Sequence, residues 1–200
     1  MGQDTGQPEE SLDGRRRRRL QGRRSAIDAT IDLVLEGKTM SADAVCERAG
    51  ISPASLFRYF DTLDDLRTAA IARYFERFDD LFSVPDIGEG SIADRIRRFV
   101  SARDDLYLHT APMARFSRHQ AVEVDEMAET LTRVRATLSD QIDRHFAAEL
   151  DHLSPAVRAR RVAVLAALTS FEAWDQLATL TPEARRSALV ESVGSILGIG

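Results

Sequence analysis

The sequence predicts an all-α protein, and three observations carry that expectation. Apolar residues recur at threes and fours along most of the chain. No sustained period-2 alternation of β-branched and aromatic residues marks a strand. The pairs Ser52-Pro53, Ser154-Pro155 and Thr181-Pro182 repeat one start signal, a capping side chain followed by a residue that fits only the first helical turn.

Taken in order, the first helix runs from about Leu20, with Ile27, Ile31, Val34 and Leu35 as its apolar positions, to a stop at Gly37. A short second helix follows, with Ser41 as N-cap, Ala44 and Val45 inward, and Gly50 at its end. Ser52 and Pro53 open a third, which reaches about Phe60 and puts Leu56 and Phe60 on one face. Thr62 caps a fourth, with Asp64 and Asp65 in its first turn and an inward row of Leu66, Ala70, Tyr74, Phe78 and Leu81. Residues 83–91 read as a linker. A helix from Ser91 to about His109 should be interrupted at Ala111-Pro112, with a short helix near 112–119 and a long one from about 120 to 150. Two more open at Pro155 and Pro182. The expectation is about nine helices.

Composition narrows the class. With 44% hydrophobic and 30% charged residues the chain is neither disordered nor disulfide-dense. One cysteine, Cys46, cannot form an internal disulfide, and no apolar run spans a membrane; the start of the chain carries no export or lipid signal. A cytoplasmic protein with no membrane partner is expected. The net charge of −5 is unevenly spread. Residues 1–13 carry four acids and no base, residues 14–60 ten bases against five acids, and the remainder 17 bases against 23 acids. Function should therefore divide along the chain: a tail over 1–19 with an acidic start and an arginine arm, a basic unit over 20–61, and an acidic one over 62–200.

Residues 41–60 have the organisation of a helix-turn-helix, whose second helix enters the major groove of DNA. Gly50 can take the positive φ of the bend, small Cys46 lets the two helices approach, and Ile51 plugs the angle between them. With Leu56 and Phe60 inward, Ser52, Ala54, Ser55, Arg58 and Tyr59 are left on or near the outer surface. The same geometry also occurs in proteins that bind no DNA.

The run Val45-Cys46-Glu47-Arg48-Ala49-Gly50-Ile51-Ser52-Pro53-Ala54-Ser55-Leu56-Phe57-Arg58-Tyr59-Phe60-Asp61-Thr62-Leu63-Asp64-Asp65-Leu66 resembles the signature of the TetR family of transcriptional regulators. Chain length, one helix before the motif and a helical remainder match too, although beyond about residue 80 the likeness is architectural only. The resemblance implies an N-terminal three-helix DNA-binding domain and a larger C-terminal ligand-binding and dimerisation domain. It further implies a homodimer, usually a repressor, on a near-palindromic double-stranded operator, released by a small-molecule effector. The chain departs from the family pattern at Ala54, Phe57 and Leu63. Phe57 lacks a hydroxyl and Leu63 an ammonium, which removes two phosphate contacts the resemblance would imply.

Arg15, Arg16, Arg17, Arg18 and Arg19, with Arg23 and Arg24, are the candidate replacements, as a cationic arm reaching the minor groove. A solvated run is the plainer reading of the same residues. Arg58 and Ser55 are the candidates for base edges, with Tyr59, Ser52, Thr39 and Ser41 for phosphates; Tyr59 could equally be packed.

In the larger domain Phe78, Phe99, Arg103, Tyr107, Met113, Phe116, Met127, Phe171 and Trp174 could line an effector cavity, although aromatic and methionine residues at helical spacing usually fill cores. Arg103 beside an apolar stripe suggests an anionic ligand, or simply lies in solvent. Apolar residues on more than one face of the last two helices suggest a homodimer bundle around Leu165, Leu168, Leu189, Val193 and Ile196; a central helix in one core is the alternative. No cofactor or metal is implied: His109, His119, His145 and His152 lack ligand spacing, and no phosphate loop, dinucleotide fingerprint or nucleophile elbow occurs. An enzyme is therefore not expected. The rival reading is a helical adaptor whose arginine run binds polyanions.

Overall fold

A computed structural model describes residues 7–199, with the side chains of 14–78 and 80–199. Among the described residues there is no strand. The chain divides into two compact units, the first ending at Arg77 and the second beginning at Phe78.

The first unit contains α1 (Gln7–Leu35), α2 (Ala42–Ala49), α3 (Pro53–Tyr59) and α4 (Leu63–Arg77). α1 packs against each of the other three. Its apolar stripe supplies the buried Ala26, Ile27, Ile31 and Val34, and α2, α3 and α4 contribute Val45, Cys46, Leu56, Leu66, Ala70 and Ile71. Thr62 and Asp65 form a reciprocal cap on α4: the Asp65 N–H donates to Thr62 Oγ1 at 3.1 Å and the Thr62 N–H to Asp65 Oδ2 at 2.9 Å.

α1 is longer than the periodicity predicts. It begins at Gln7, not near Leu20, so Arg15–Arg19 lie within the helix and are not an arm preceding it. Arginine is a good helix former, and exposed turns need propensity rather than an apolar stripe. Residues 1–6 of the expected tail, Asp4 among them, lie outside the described residues.

The second unit contains α5 (Ile92–Gln120), α6 (Asp125–His145), α7 (Ala147–Leu150), α8 (Pro155–Leu168), α9 (Phe171–Gln176) and α10 (Pro182–Leu197), with 3-10 turns at Asp79–Phe82 and Leu177–Thr179. One core joins Ile96, Phe99 and Val100 of α5 to Ile142 of α6, Leu165 of α8 and Leu189 and Val193 of α10. A second cluster holds Leu106, Tyr107 and Ala111 of α5 with Phe171 and Trp174 of α9.

Three boundaries in this unit differ from expectation, the first being that α6 spans Asp125–His145 and stops at Phe146 before the short α7, where one helix from about 120 to 150 is expected. α5 runs through Pro112 and ends at Gln120. Thr110, Ala111 and Met113 are buried on either side of the proline, and that packing offsets the missing N–H, a loss of about 3 kcal/mol in a free helix. The penultimate helix breaks instead at Thr169-Ser170, where Ser170 takes an extended conformation and its hydroxyl accepts from the Ala173 N–H. The freed carbonyl of Thr169 receives the Tyr107 hydroxyl at 3.0 Å. The segment 83–91 is held rather than loose: Val84 is in the core, Arg98 donates to the carbonyls of Asp86 and Glu89, and the Gly88 N–H donates to His145 Nδ1.

Candidate nucleic-acid interface

The turn between α2 and α3 is built by local chemistry. Gly50 adopts φ 65°, the left-handed conformation that closes α2, and the Ile51 N–H returns to the Cys46 carbonyl at 3.1 Å. Ser41 caps α2 by accepting from the Ala44 N–H, and Ser52 caps α3 by accepting from the Ser55 N–H, each at 3.2 Å. Cys46, Leu56 and Phe60 are buried and Ile51 is half-buried, as a packed helix-turn-helix requires. Burial pushes the Cys46 thiol above its ordinary pKa, so it remains an uncharged filler.

α3 presents a connected polar surface. The Ser52 hydroxyl donates to Ser55 Oγ at 3.1 Å, and Arg58 donates to the same oxygen at 3.1 Å. Ser55 Oγ thus accepts twice, which leaves its own proton available to donate. The Arg58 guanidinium lies 5.4 Å from the centre of the Tyr59 ring, so the exposed arginine is steadied from two sides. Tyr59 is half-buried across α1 at Gly22: a Cβ there would sit 2.7 Å from the tyrosine oxygen and 2.9 Å from its ring. Tyr59 packs against α1 on one side, with its hydroxyl lying over that helix.

The other predicted residues spread along the same unit. Thr39 is exposed, as are Arg15–Arg19. Arg23 stacks 5.0 Å over the Phe60 ring, and Arg24 stands 3.8 Å from Asp28 with both side chains in solvent. The sequence reading missed Glu36 and Arg48, which pair through two bonds of 2.8 Å between the end of α1 and α2. Hydrogen bonds from Arg48 and Lys38 hold the Glu36 carboxyl near a pKa of about 2. Arg48 and Lys38 thus share one carboxylate, which offsets one of their two charges. Glu36 and Arg48 are twelve positions apart, and no local spacing rule reaches that far.

In the second unit the nine residues expected around one cavity fall into different surroundings. Phe99 belongs to the main core, while Tyr107, Phe171 and Trp174 form a separate aromatic group with ring centres 5.7–6.0 Å apart. Met113 and Met127 are buried; Phe78 and Phe116 are half-buried. Arg103 is buried, not solvent-exposed, and only 2% accessible. Of the expected dimer residues, Leu165, Leu189 and Val193 are buried in the chain's own core and not on a free face; Leu168 and Ile196 are partly buried against the same core. Among the described residues no group of His, Cys, Asp or Glu could hold a metal ion, and no helix is long and apolar enough to cross a membrane.

Among the described residues the chain is all-α, with a capped helix-turn-helix in its first unit and a larger helical second unit. Comparison with solved structures makes the fold specific. The chain is similar to a tetR-family transcriptional regulator from Streptomyces coelicolor with a TM-score of 0.69, at 22% identity over 90% of this chain and 80% of that one. It has the fold of a TetR-family regulator. No protein-family model matches the sequence, and no curated protein matches it.

Proposed function

We propose that the chain is a DNA-binding transcriptional regulator, in its simplest form a repressor, that binds a near-palindromic operator as a homodimer and leaves it when the second unit takes up a small molecule. The observation that carries the reading is the outer surface of α3, where Ser55 and Arg58 are exposed or partly so and held in register by Ser52 and Tyr59. Arg58 suits a guanine edge, which a guanidinium grips with two bonds, and Ser55 suits a neighbouring base. Thr39 and the Ser41 hydroxyl, at the start of α2, suit backbone phosphates. Tyr59 is better placed to hold Arg58 than to reach a phosphate itself.

The arginines reach DNA as a helix in this reading. A helix about 10–12 Å across does not enter a minor groove of about 6 Å, so Arg15–Arg19 would run beside the duplex and meet phosphates of one strand. Five consecutive residues wrap more than a full turn, and only part of the set can face DNA at once.

The outward faces of α8 and α10 support the homodimer. Ala156, Ala159, Ala163, Val164 and Ala167 recur on the exposed side of α8, interrupted by Arg160, and Ala184, Ser187 and Ser195 on that of α10, interrupted by Glu191. Small residues let two such pairs of helices approach closely about a two-fold axis.

The deciding experiment is selection of duplexes by the full chain from a randomised pool at about 0.15 M salt, where non-specific contacts are already weakened. The expected result is enrichment of a two-fold-symmetric motif. Retention of all duplexes without enrichment would favour a polyanion-binding adaptor, and no retention would overturn the reading for the ligand-free chain.

A further inference from the structure

A buried guanidinium in the second unit lacks a counter-charge. Arg103 of α5 is 2% accessible, and its hydrogen bond is a single one, to the carbonyl of Leu138 on α6 at 3.0 Å. Its charge lies 5.0 Å from the centre of the Phe99 ring, and among the described residues no carboxylate pairs with it. The contrast with its neighbours is sharp. Buried Arg95 is answered by Glu149, and buried Arg185 by Asp104 at 2.6 Å. Burial without an opposite charge draws the Arg103 pKa down to about 10. A charge so placed is a net cost to folding, and its retention calls for a gain elsewhere.

The surroundings hold a second unmet group. Gln141, one turn along α6 from Leu138, donates its amide to the Phe82 carbonyl at 2.6 Å, while its Oε1 is buried without a partner. Tyr107, one turn along α5 from Arg103, leads into the aromatic group of Phe171 and Trp174. A guanidinium with one hydrogen bond and no counter-charge, beside adjoining rings, matches an aromatic ligand that carries a carboxylate, while the Gln141 oxygen suits a donor elsewhere on that ligand, since a carboxylate can only accept.

We propose that Arg103 is the anchor for an aromatic carboxylate bound within the second unit, its fork closing on the ligand's two oxygens. This deepens the reading of that unit as the effector-binding one. It is tested without DNA, so that failure of either reading is seen separately.

Calorimetric titration of the full chain with benzoate, 2-naphthoate and indole-3-acetate, each beside its carboxamide, reads the charge requirement. At least one acid should bind about ten- to a hundredfold tighter than its amide, the range of a charge-assisted fork over a neutral contact. Arg103→Met should erase that preference and raise the melting temperature by several degrees, because it replaces an uncompensated charge by an apolar chain of similar length. Arg103→Lys, which keeps the charge but loses the fork, should retain a weakened preference and covers the case in which the methionine variant fails to fold. No preference for acid over amide in the wild-type chain overturns the proposal, as does an undiminished preference in Arg103→Met. A methionine variant that melts lower than wild type, with no acid bound by either chain, would make Arg103 a structural residue. Enrichment of an operator by the wild-type chain in that event would leave the DNA-binding reading intact.

Discussion

His145 shows how one buried side chain ties stability to pH. The Gly88 N–H donates to its Nδ1 at 3.2 Å, so the proton sits on Nε2, which faces the Arg95 carbonyl at 3.0 Å. Burial between Phe99 and Phe146 lowers its pKa below the usual 6.5, and the charges of Arg95, Arg98 and Arg103 add to the effect. Unfolding releases a histidine that takes up a proton below about pH 6.5. Its contribution is therefore complete above that value and is lost as the pH falls toward the lower folded pKa. Urea melts at pH 7.5, 6.0 and 5.0 should show a decline of up to about 1.4 kcal/mol per pH unit below 6.5, and His145→Gln should flatten it. The depressed carboxyls of Glu36 and Glu172, both near a pKa of about 2, lose their contributions only at lower pH and leave this window clear. A second single-residue test lies at Gly22. Gly22→Ala gains up to about 1 kcal/mol of helix propensity but pushes a methyl into the Tyr59 ring, which must swing away. Stability should change little while operator affinity, measured by fluorescence anisotropy, falls roughly tenfold, since Tyr59 steadies Arg58. An unchanged affinity would separate Tyr59 from DNA recognition.

At the scale of elements, caps and turns were legible because their chemistry is local. Ser41, Ser52, Thr62 and Thr181 each accept a backbone N–H of the helix they open, Ser154 opens α8 without such a bond, and Gly50 takes the conformation that glycine tolerates best. Boundaries set by packing or by propensity were not. Pro112 reads as a break and is carried through α5 by buried neighbours, whereas Ser170 makes a break in a stretch whose apolar run looks continuous. The start of α1 is the instructive case, because an apolar-periodicity reading begins where the core packing begins. Arginines without a buried face extend the helix beyond it. Alanine preserves helicity, so replacing all of Arg15–Arg19 by alanine isolates their charge. If they lie along phosphates, the slope of log affinity against log salt should flatten by several units per dimer, at about 0.9 for each phosphate no longer neutralised. An unchanged slope would mean that α1's arginines remain in solvent when the operator is bound.

At the scale of the whole molecule the proposed homodimer needs a free face, and burial decides between helix sides that sequence cannot distinguish. Helices apolar on two faces offer two candidates, and Leu165, Leu189 and Val193 are consumed by the chain's own core. The remaining face of α8 has Val164, 52% exposed, with Ala163 beside it, Ala167 one turn on and the exposed Arg160 one turn back. A glutamate at 164 would stay solvated in a single chain and leave the fold undisturbed, whereas across a two-fold axis it would meet its own copy and bury charge against charge. Val164→Glu should therefore shift the mass in sedimentation from two chains to one, with thermal unfolding of the single chain close to that of wild type at high dilution. Operator affinity should fall at least about a hundredfold in the same variant, because two half-sites must then be bound independently. A variant that remains dimeric would move the interface off this face of α8. One that becomes monomeric yet holds the operator undiminished would remove the two-fold argument from DNA recognition altogether.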